Sequence, residues 1–579
     1  MGPPGLGGVE TYMPRIEQRP QRPGSEHWLW PDGTHPVLRQ VFSRREIESP
    51  GELDLALGRL RPVGEFASLD RGVDLLCRHR EGRVVVVGDF DADGATSTAL
   101  MVLCLEAFGF ADVSFFIPDR FELGYGLSPG VIERLRGKNP SLIVTVDNGI
   151  SSTLGVAAAR ESNVDVLITD HHLPGAELPD ANVIVNPNLI GDNFAGKSLA
   201  GVGVAFYLLA ALGRRLGTPE FAARFLDLVA LGTIADVVRL DHSNRILISQ
   251  GLERVRAGHC RPGLLALCEV AGVASHDITA RTLAFQIAPR LNAAGRLDDM
   301  TIGVRCLLSE SPGEALGFAN RLNELNRERR AIEARMRTEA FELVDTETLV
   351  DVEELAPVVC LFREDWHEGL VGLVASRIKD RYHRPVFAFA ATEGGALKGS
   401  GRSVSGFHLR DALADLDAAH PGLISRFGGH AMAAGLTLDR NGFDQFRDAM
   451  ESLGRERLGP EHLAERIFTD GELAVRDVTL EVASLLRDAG PWGQGFPEPL
   501  FEGTFELLRQ RVLRDAHLKM TVRAPDQDRP LDAVSFHRAP GSDWGVGDSL
   551  RLVYRLDVND YFATPTVQLI VEHIEVLQR

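Results

Sequence analysis

Four short apolar runs punctuate the first third of the chain: VVVV at 84–87, LIVTV at 142–146, VDVLIT at 164–169 and NVIV at 182–185. They lack the alternation of a half-exposed strand, so each is expected to be a strand buried on both faces. Helical stretches stand between them, such as ATSTALMVLCLEAFG after the first and SSTLGVAAARES after the second. This alternation predicts an α/β fold with a doubly wound, mainly parallel sheet. Over 311–344 the apolar residues Leu316, Ala319, Leu322, Leu325, Ile332 and Met336 recur at helical spacing. Ser311, Pro312 and Glu314 suit the N-cap, N1 and N3 positions of one long connecting helix. A second α/β pattern follows, with APVVCLF, the helical GLVGLVASRIKDRY, and PVFAFAA. Beyond about residue 465, short alternating segments separated by turn residues predict a small antiparallel barrel. The expected organisation is a tail over 1–40, a first α/β domain over 41–310, the helix over 311–350, a second α/β domain over 351–460 and the barrel over 465–579.

Composition adds limits. The chain has 579 residues, 44% hydrophobic and 25% charged, as expected of several soluble globular domains. The apolar run VGVAFYLLAAL at 202–212 has the length of a buried helix, not of a membrane span. The N-terminus MGPPGLGG lacks the basic and apolar pattern of a signal peptide, and Leu6 stands where a myristoylation site needs Ser or Thr. A flexible tail and a cytoplasmic location are expected. Six scattered cysteines form no C-x-x-C pair, which argues against a zinc or redox motif and for buried thiols in a reducing compartment. A net charge of −19 opposes a nucleic-acid partner unless positive charge is gathered locally. Such a gathering runs from Arg377 to Arg410, where seven basic residues meet only Asp380 and Glu393.

The chemistry sits at the strand ends. Asp89, Asp91 and Asp93 follow the first strand, Asp147 the second, and Asp170, His171 and His172 the third. Asp236 closes the apolar stretch 221–235. In an open parallel sheet the ligand site lies beyond the carboxyl ends of the strands, so these groups are expected at one edge. Two carboxylates about 4 Å apart repel by roughly 4 kcal/mol at an effective dielectric near 20, and cations between them remove that cost. Oxygen donors with an imidazole suit Mn²⁺ or Mg²⁺, and two such ions could activate a water for phosphoester hydrolysis. A calcium loop of the EF-hand type is the competing reading of DFDADG, but Leu100 replaces its terminal Glu and VVVV is not a helix. No G-x-S-x-G elbow supports a serine nucleophile. The glycines of LAGVGVAF lack dinucleotide spacing and suit helix packing.

In this order, GDFDADGATSTAL, RFELGYGLSP, TVDNGISS, TDHHLPG, NPN and TIADVVRL resemble the DHH phosphoesterase superfamily. Within it they resemble the RecJ family of single-strand-specific 5′→3′ DNA exonucleases. APRLNAAGRLDDM, WHEGLVGLVASRI, GSGRS and FGGHAMAAG extend the resemblance over nearly the whole chain from about residue 40. The resemblance implies metal ligation by Asp89, Asp91, Asp93, Asp147, His171 and Asp236, with Asp147 and Asp91 central to catalysis. It implies that His172 meets the scissile phosphate and that Asp170 orients a histidine. It implies a substrate-binding role for the second α/β domain, through Ser400, Arg402, Ser403, Gly429 and His430. Arg120, Arg290 and Asn292 look like further strand or terminal-phosphate contacts, and the barrel resembles an OB fold with Tyr561 and Phe562 as candidate stacking platforms. The implied partners are single-stranded DNA, with a single-strand-binding protein and a repair helicase, and the implied state is a monomer.

Two other functions compete. One is a short-oligonucleotide or cyclic-dinucleotide phosphodiesterase, which usually lacks the long helix and the barrel. The other is a non-catalytic, DNA-binding replication scaffold. It is disfavoured because every ligand position carries a competent residue.

Overall fold

A computed structural model describes residues 14–347, 355–392, 394–513, 517–525, 528–536, 544–560 and 564–578. Tyr561 and Phe562 lie outside these residues. The chain divides into two compact units, one formed by 18–326 with 469–579 and the other by 327–468 with a stretch ending at Glu17. The division falls inside the long helix.

The first unit is built on a five-stranded sheet: β1 (Arg83–Val87), β2 (Asp112–Phe116), β3 (Leu142–Val146), β4 (Asp165–Thr169) and β5 (Val183–Val185). The order is β2-β1-β3-β4-β5, and every pair is parallel. Successive residues of one strand enter different cores. Val84, Val86, Leu142 and Val144 pack into one, and Val85, Val87, Ile143 and Val166 into the other. That is the doubly wound arrangement expected from unalternated strands. β2 is additional to the expected strands. Its DVSFF is half-buried at the sheet edge, so it has no apolar run to announce it. The order reverses direction between β1 and β3, the switch point where such sheets bind ligands.

Three helices frame that point: α1 (Ala92–Ala107), α2 (Gly201–Arg215) and α3 (Leu226–Ala235). They pack on one another and are buried along most of their length. The long helix α4 runs Pro312–Glu347, and Glu314 N donates to Ser311 Oγ at 3.5 Å.

The second unit holds a mixed sheet of β6 (Val359–Arg363), β7 (Val386–Ala391), β8 (Leu397–Arg402), β9 (Ile424–Gly429) and β10 (Ala433–Leu438). The order is β9-β10-β8-β7-β6, parallel only between β6 and β7. The helix α5 (Val371–Tyr382) packs on β7 and β8. The local excess of positive charge is offset in three dimensions. Arg377 pairs with Glu333, Lys379 with Asp380, Arg381 with Asp345 and Lys398 with Glu368. Arg384 is buried and donates to backbone carbonyls. Two of these acids, Glu333 and Asp345, come from α4, outside the basic stretch in sequence.

The C-terminal barrel belongs to the first unit. β11 (Phe501–Leu513), β12 (His517–Arg523), β13 (Pro530–Phe536), β14 (Ser549–Asn559) and β15 (Thr566–Gln578) close in the order β11-β12-β13-β15-β14. It departs from the expected antiparallel barrel at one pair, β13 and β15, which run parallel. Its interior joins the hydrophobic core of the parallel sheet, so the two domains share one core. Phe42 stacks on Trp492 and Phe496 at that junction, with ring centroids 5.9 and 6.1 Å apart. Arg45 makes a bidentate, fully buried pair with Asp470 at 2.5 and 2.9 Å. Part of the expected tail is therefore structural: the helix Pro36–Phe42 buries Val37, Val41 and Phe42, and Gln40 bonds to Asp470 O at 2.8 Å.

Candidate metal centre

Each strand end delivers its acids through a local device. After β1, Asp91 is the N-cap of α1. Its Oδ1 accepts from Asp93 N at 2.9 Å and Gly94 N at 3.0 Å, using two of the helix's orphan donors. Gly94 is required by close approach, since a Cβ there would lie 2.5 Å from Asp89 O. Asp93 turns back to the start of α2, where its carboxylate accepts from Gly201 N at 2.6 Å and Val202 N at 3.0 Å. A carboxylate at a helix N-terminus is favoured by both the free amides and the dipole. Gly201, expected to serve packing, thus also binds Asp93, and a Cβ on it would lie 2.5 Å from Asp147 Cβ.

Asp147 leaves β3 in the left-handed region, with φ 61°. Asn148 beside it donates to Val87 O and Val146 O at 3.1 and 2.8 Å, locking the ends of β1 and β3 together. After β4, Asp170 is fully buried and accepts four hydrogen bonds. Ile150 N reaches one oxygen at 2.9 Å, and His171 N, His172 N and His172 Nδ1 reach the other at 2.7, 3.0 and 2.7 Å. The two asparagines of NPN hold the histidine backbone: Asn186 Nδ2 donates to His172 O and Asn188 Nδ2 to His171 O. Asp236 caps the C-terminus of α3. The apolar stretch before it is a helix, a choice that an unbroken hydrophobic run cannot announce.

These devices converge. His171 Nε2 lies 3.2 Å from Asp147 Oδ1 and 3.4 Å from Asp236 Oδ2. Three groups each place one donor atom per residue within 4.8 Å: Asp89 with Asp91 and Asp147, Asp93 with His171 and Asp236, and Asp147 with His171 and His172. All six expected ligands are therefore gathered at the β1/β3 switch point. Burial, reinforced by neighbouring carboxylates, pushes Asp89, Asp147 and Asp236 well above the usual carboxylate range and Asp93 up to about 7. Asp89 Oδ1, Asp147 Oδ1 and Asp236 Oδ2 are buried with no hydrogen-bond partner. Buried acceptors without donors, in a cluster of like charge, fit a bound cation. Burial acts against charge on His172, yet the hydrogen bond and charge of Asp170 raise it to about 9.

An aromatic array borders the centre. Tyr125, from RFELGYGLSP, donates to Asp147 O at 3.2 Å, lies 3.3 Å from His172 Nδ1, and packs edge-on against both His172 and Phe90. Tyr125, Asn148, Asn186 and Asn188 join the site without carrying a charge or a ligand atom that marks them in the sequence. Their one mark in the sequence is a place inside or beside the acid-bearing motifs. Arg120 lies over the Phe90 ring at 4.2 Å and donates to Gly295 O. Asn292 Oδ1 accepts from Ala92 N at 2.8 Å, so it braces the start of α1. Arg290, expected to contact the strand, bonds within the protein. It is buried, with its guanidinium on Asn323 Oδ1, Gln286 O and Val270 O.

In the other unit, Arg402 Nη1 donates to Ser400 Oγ at 3.0 Å and to Gly401 O at 2.8 Å. Both side chains lie against Gly372 in the first turn of α5, where a Cβ would come within 2.9 Å of each. Gly429 has φ 141°, and His430 N donates to Ala433 O at 2.8 Å. Ser403 is buried, and its hydroxyl donates to Phe407 O at 2.6 Å.

A parallel sheet in 2-1-3-4-5 order, with aspartates at the ends of the first and third strands and an Asp-His-His after the fourth, is the arrangement of a DHH-type protein. Residues 83–233 match the DHH family N-terminal domain, 355–456 the DHHA1 domain and 469–573 the RecJ OB domain. The single-stranded-DNA-specific exonuclease RecJ of Escherichia coli is 48% identical over 555 residues, covering 93% of this chain and 96% of that protein. Its namesake in Salmonella typhimurium is 47% identical, covering 97% and 100%. A crystal structure of RecJ in complex with Mn²⁺ from Thermus thermophilus superposes with a TM-score of 0.81 at 30% identity, covering 98% of this chain and 80% of that one. A Mg²⁺ complex from the same organism gives 0.75 at 27% identity. The chain belongs to the RecJ family. No helix among the described residues is long and apolar enough to cross a membrane.

Proposed function

We propose that this protein is a metal-dependent exonuclease that removes nucleotides from the 5′ end of single-stranded DNA, in DNA repair and recombination. The observation that carries the reading is the convergence of six oxygen and nitrogen donors at the switch point, with buried carboxylate oxygens lacking hydrogen-bond partners. The names of the relatives and the metals in the solved neighbours support it.

The site would hold two ions, Mn²⁺ or Mg²⁺. The donors for one are Asp89, Asp91 and Asp147, and for the other Asp93, His171 and Asp236. When bound, such ions supply an activated water and charge stabilisation at the scissile phosphate. The chain's own groups do the rest. Asp170 fixes the ring of His172 and favours its protonated form, giving a cationic donor for a phosphate oxygen. Gly201 and Val202 amides hold Asp93 in place. We assign this chemistry to residues 41–310, recognition of the 5′-terminal phosphate to Ser400 and Arg402 with Gly429 and His430 in 351–460, and grip on the strand to the barrel over 465–579. The helix over 311–350 links the first two.

The test offers 5′-labelled and 3′-labelled single-stranded DNA, with RNA and duplex controls, in Mn²⁺ or Mg²⁺. Nucleotide release from the 5′ end of single strands is expected, and Asp147→Ala or His171→Ala should abolish it in a folded chain. Turnover within about tenfold of wild type would remove that residue from the site. Release from the 3′ end would overturn the polarity.

A further inference from the structure

The described non-glycine residues with positive φ are Asn139, Asp147, Asn163, Val237 and His383. Asn, Asp and His tolerate this region because their side chains bond locally. Val237, at φ 60°, has no such means, and a β-branched residue there is a steric outlier. It occupies the position just past the C-cap of α3, where helices commonly place glycine. The residue is 65% exposed, so packing does not hold it in this conformation.

The flanking chain does hold it. On the helix side, Asp236 N donates to Gly232 O at 3.0 Å and Val237 N to Ile234 O at 3.3 Å. α3 itself is fixed by the close approach of Gly232 to Thr96 and Asp93. On the far side, Leu240 N donates to Gln494 O at 2.7 Å, and Asn244 Nδ2 holds Arg239 O at 2.8 Å. The left-handed step is thus imposed from both ends, and it occurs one residue after Asp236. That carboxylate lies 3.4 Å from His171 Nε2 and within the donor group of Asp93. Strain that persists without compensating burial, next to a functional group, is the pattern expected of preorganisation.

We propose that Val237 is a positioning residue for Asp236: its restricted backbone fixes the end of α3, so that the carboxylate is held ready for a cation. Glycine, which enters the left-handed region freely but also many other regions, would release strain and lose that fixity. The inference rests on the proposed metal centre. It is tested on the full chain with Mn²⁺ alone as probe, by calorimetric titration and by melting without metal. Val237→Gly should raise the metal-free melting midpoint by about 2 °C and weaken Mn²⁺ binding by about tenfold, as for other residues that orient a metal ligand. Val237→Ile, equally restricted, should match wild type in both. Unchanged Mn²⁺ affinity in Val237→Gly would overturn the proposal. So would equal weakening in Val237→Ile, or a lowered midpoint with weakened binding, which marks general damage. Failure of the wild type to bind Mn²⁺ would instead remove the metal centre itself.

Discussion

Asp170→Asn replaces a buried carboxylate by its isostere and tests whether Asp170 organises the two histidines. The carboxylate meets four N–H donors, one on one oxygen and three on the other. An amide offers only one oxygen. If that oxygen takes the three-donor place, the amide nitrogen faces Ile150 N, donor against donor. If it flips, three donors lose their acceptor. The first arrangement is the cheaper. It leaves one buried N–H unsatisfied, at about 1–3 kcal/mol, and weakens three charge-assisted bonds. A destabilisation of about 2–4 kcal/mol is expected, with nucleotide release slowed by about 10–100-fold. Linkage supplies an independent check. His172 is raised to about 9 by Asp170, above its ordinary value near 6.5. The stability this contributes is complete below about 6.5 and fades as pH rises through about 9. The melting gap between wild type and Asp170→Asn should therefore narrow between pH 7 and pH 10. A variant that melts with wild type at pH 7 and keeps its rate would refute the reasoning, as would a gap that widens with pH.

Other expectations follow from the same geometry. Gly201→Ala should lower activity by at least about tenfold without removing any ligand, because the new Cβ would lie 2.5 Å from Asp147 Cβ; unchanged turnover would show that α2 can retreat. Arg402→Ala should weaken binding of 5′-phosphorylated strands by about 1.5–3 kcal/mol and leave 5′-hydroxyl strands nearly unaffected, as read by paired binding titrations. Asp470→Asn should destabilise the chain by about 3–5 kcal/mol, because it strands the buried guanidinium of Arg45; melting measures it.

The acids were legible because their context was. Four short, unalternated, β-branched runs separated by helical stretches fitted strands buried on both faces, and parallel strands bring their carboxyl ends to one edge. Asp89, Asp147 and His171 could thus be placed together before any distance was known. Asp236 reached the site from a helix end, which periodicity does not distinguish from a strand end in so apolar a run. The supporting groups were harder. Asn186 and Asn188 act on carbonyls 14 and 17 residues away in sequence, and Gly201 acts through its amide, which every residue type carries. Arg290, Ser403 and the basic run 377–410 share one feature. A cation or hydroxyl in sequence advertises its chemistry but not its partner, and here the partners are Asn323, Phe407 O and the acids Glu333, Asp345 and Glu368.

The core shared by the barrel and the parallel sheet limits how this molecule can be taken apart. Cutting the chain before residue 465 would strip Trp492 and Phe496 from Phe42 and remove Asp470 from Arg45. A shortened chain would then lose its activity by unfolding, whatever the barrel contributes to holding DNA. Removal of everything beyond residue 465 therefore cannot report on strand affinity alone. The grip on the strand proposed for the barrel can be tuned separately from stability through side chains on its outer surface, which the common interior leaves free to change.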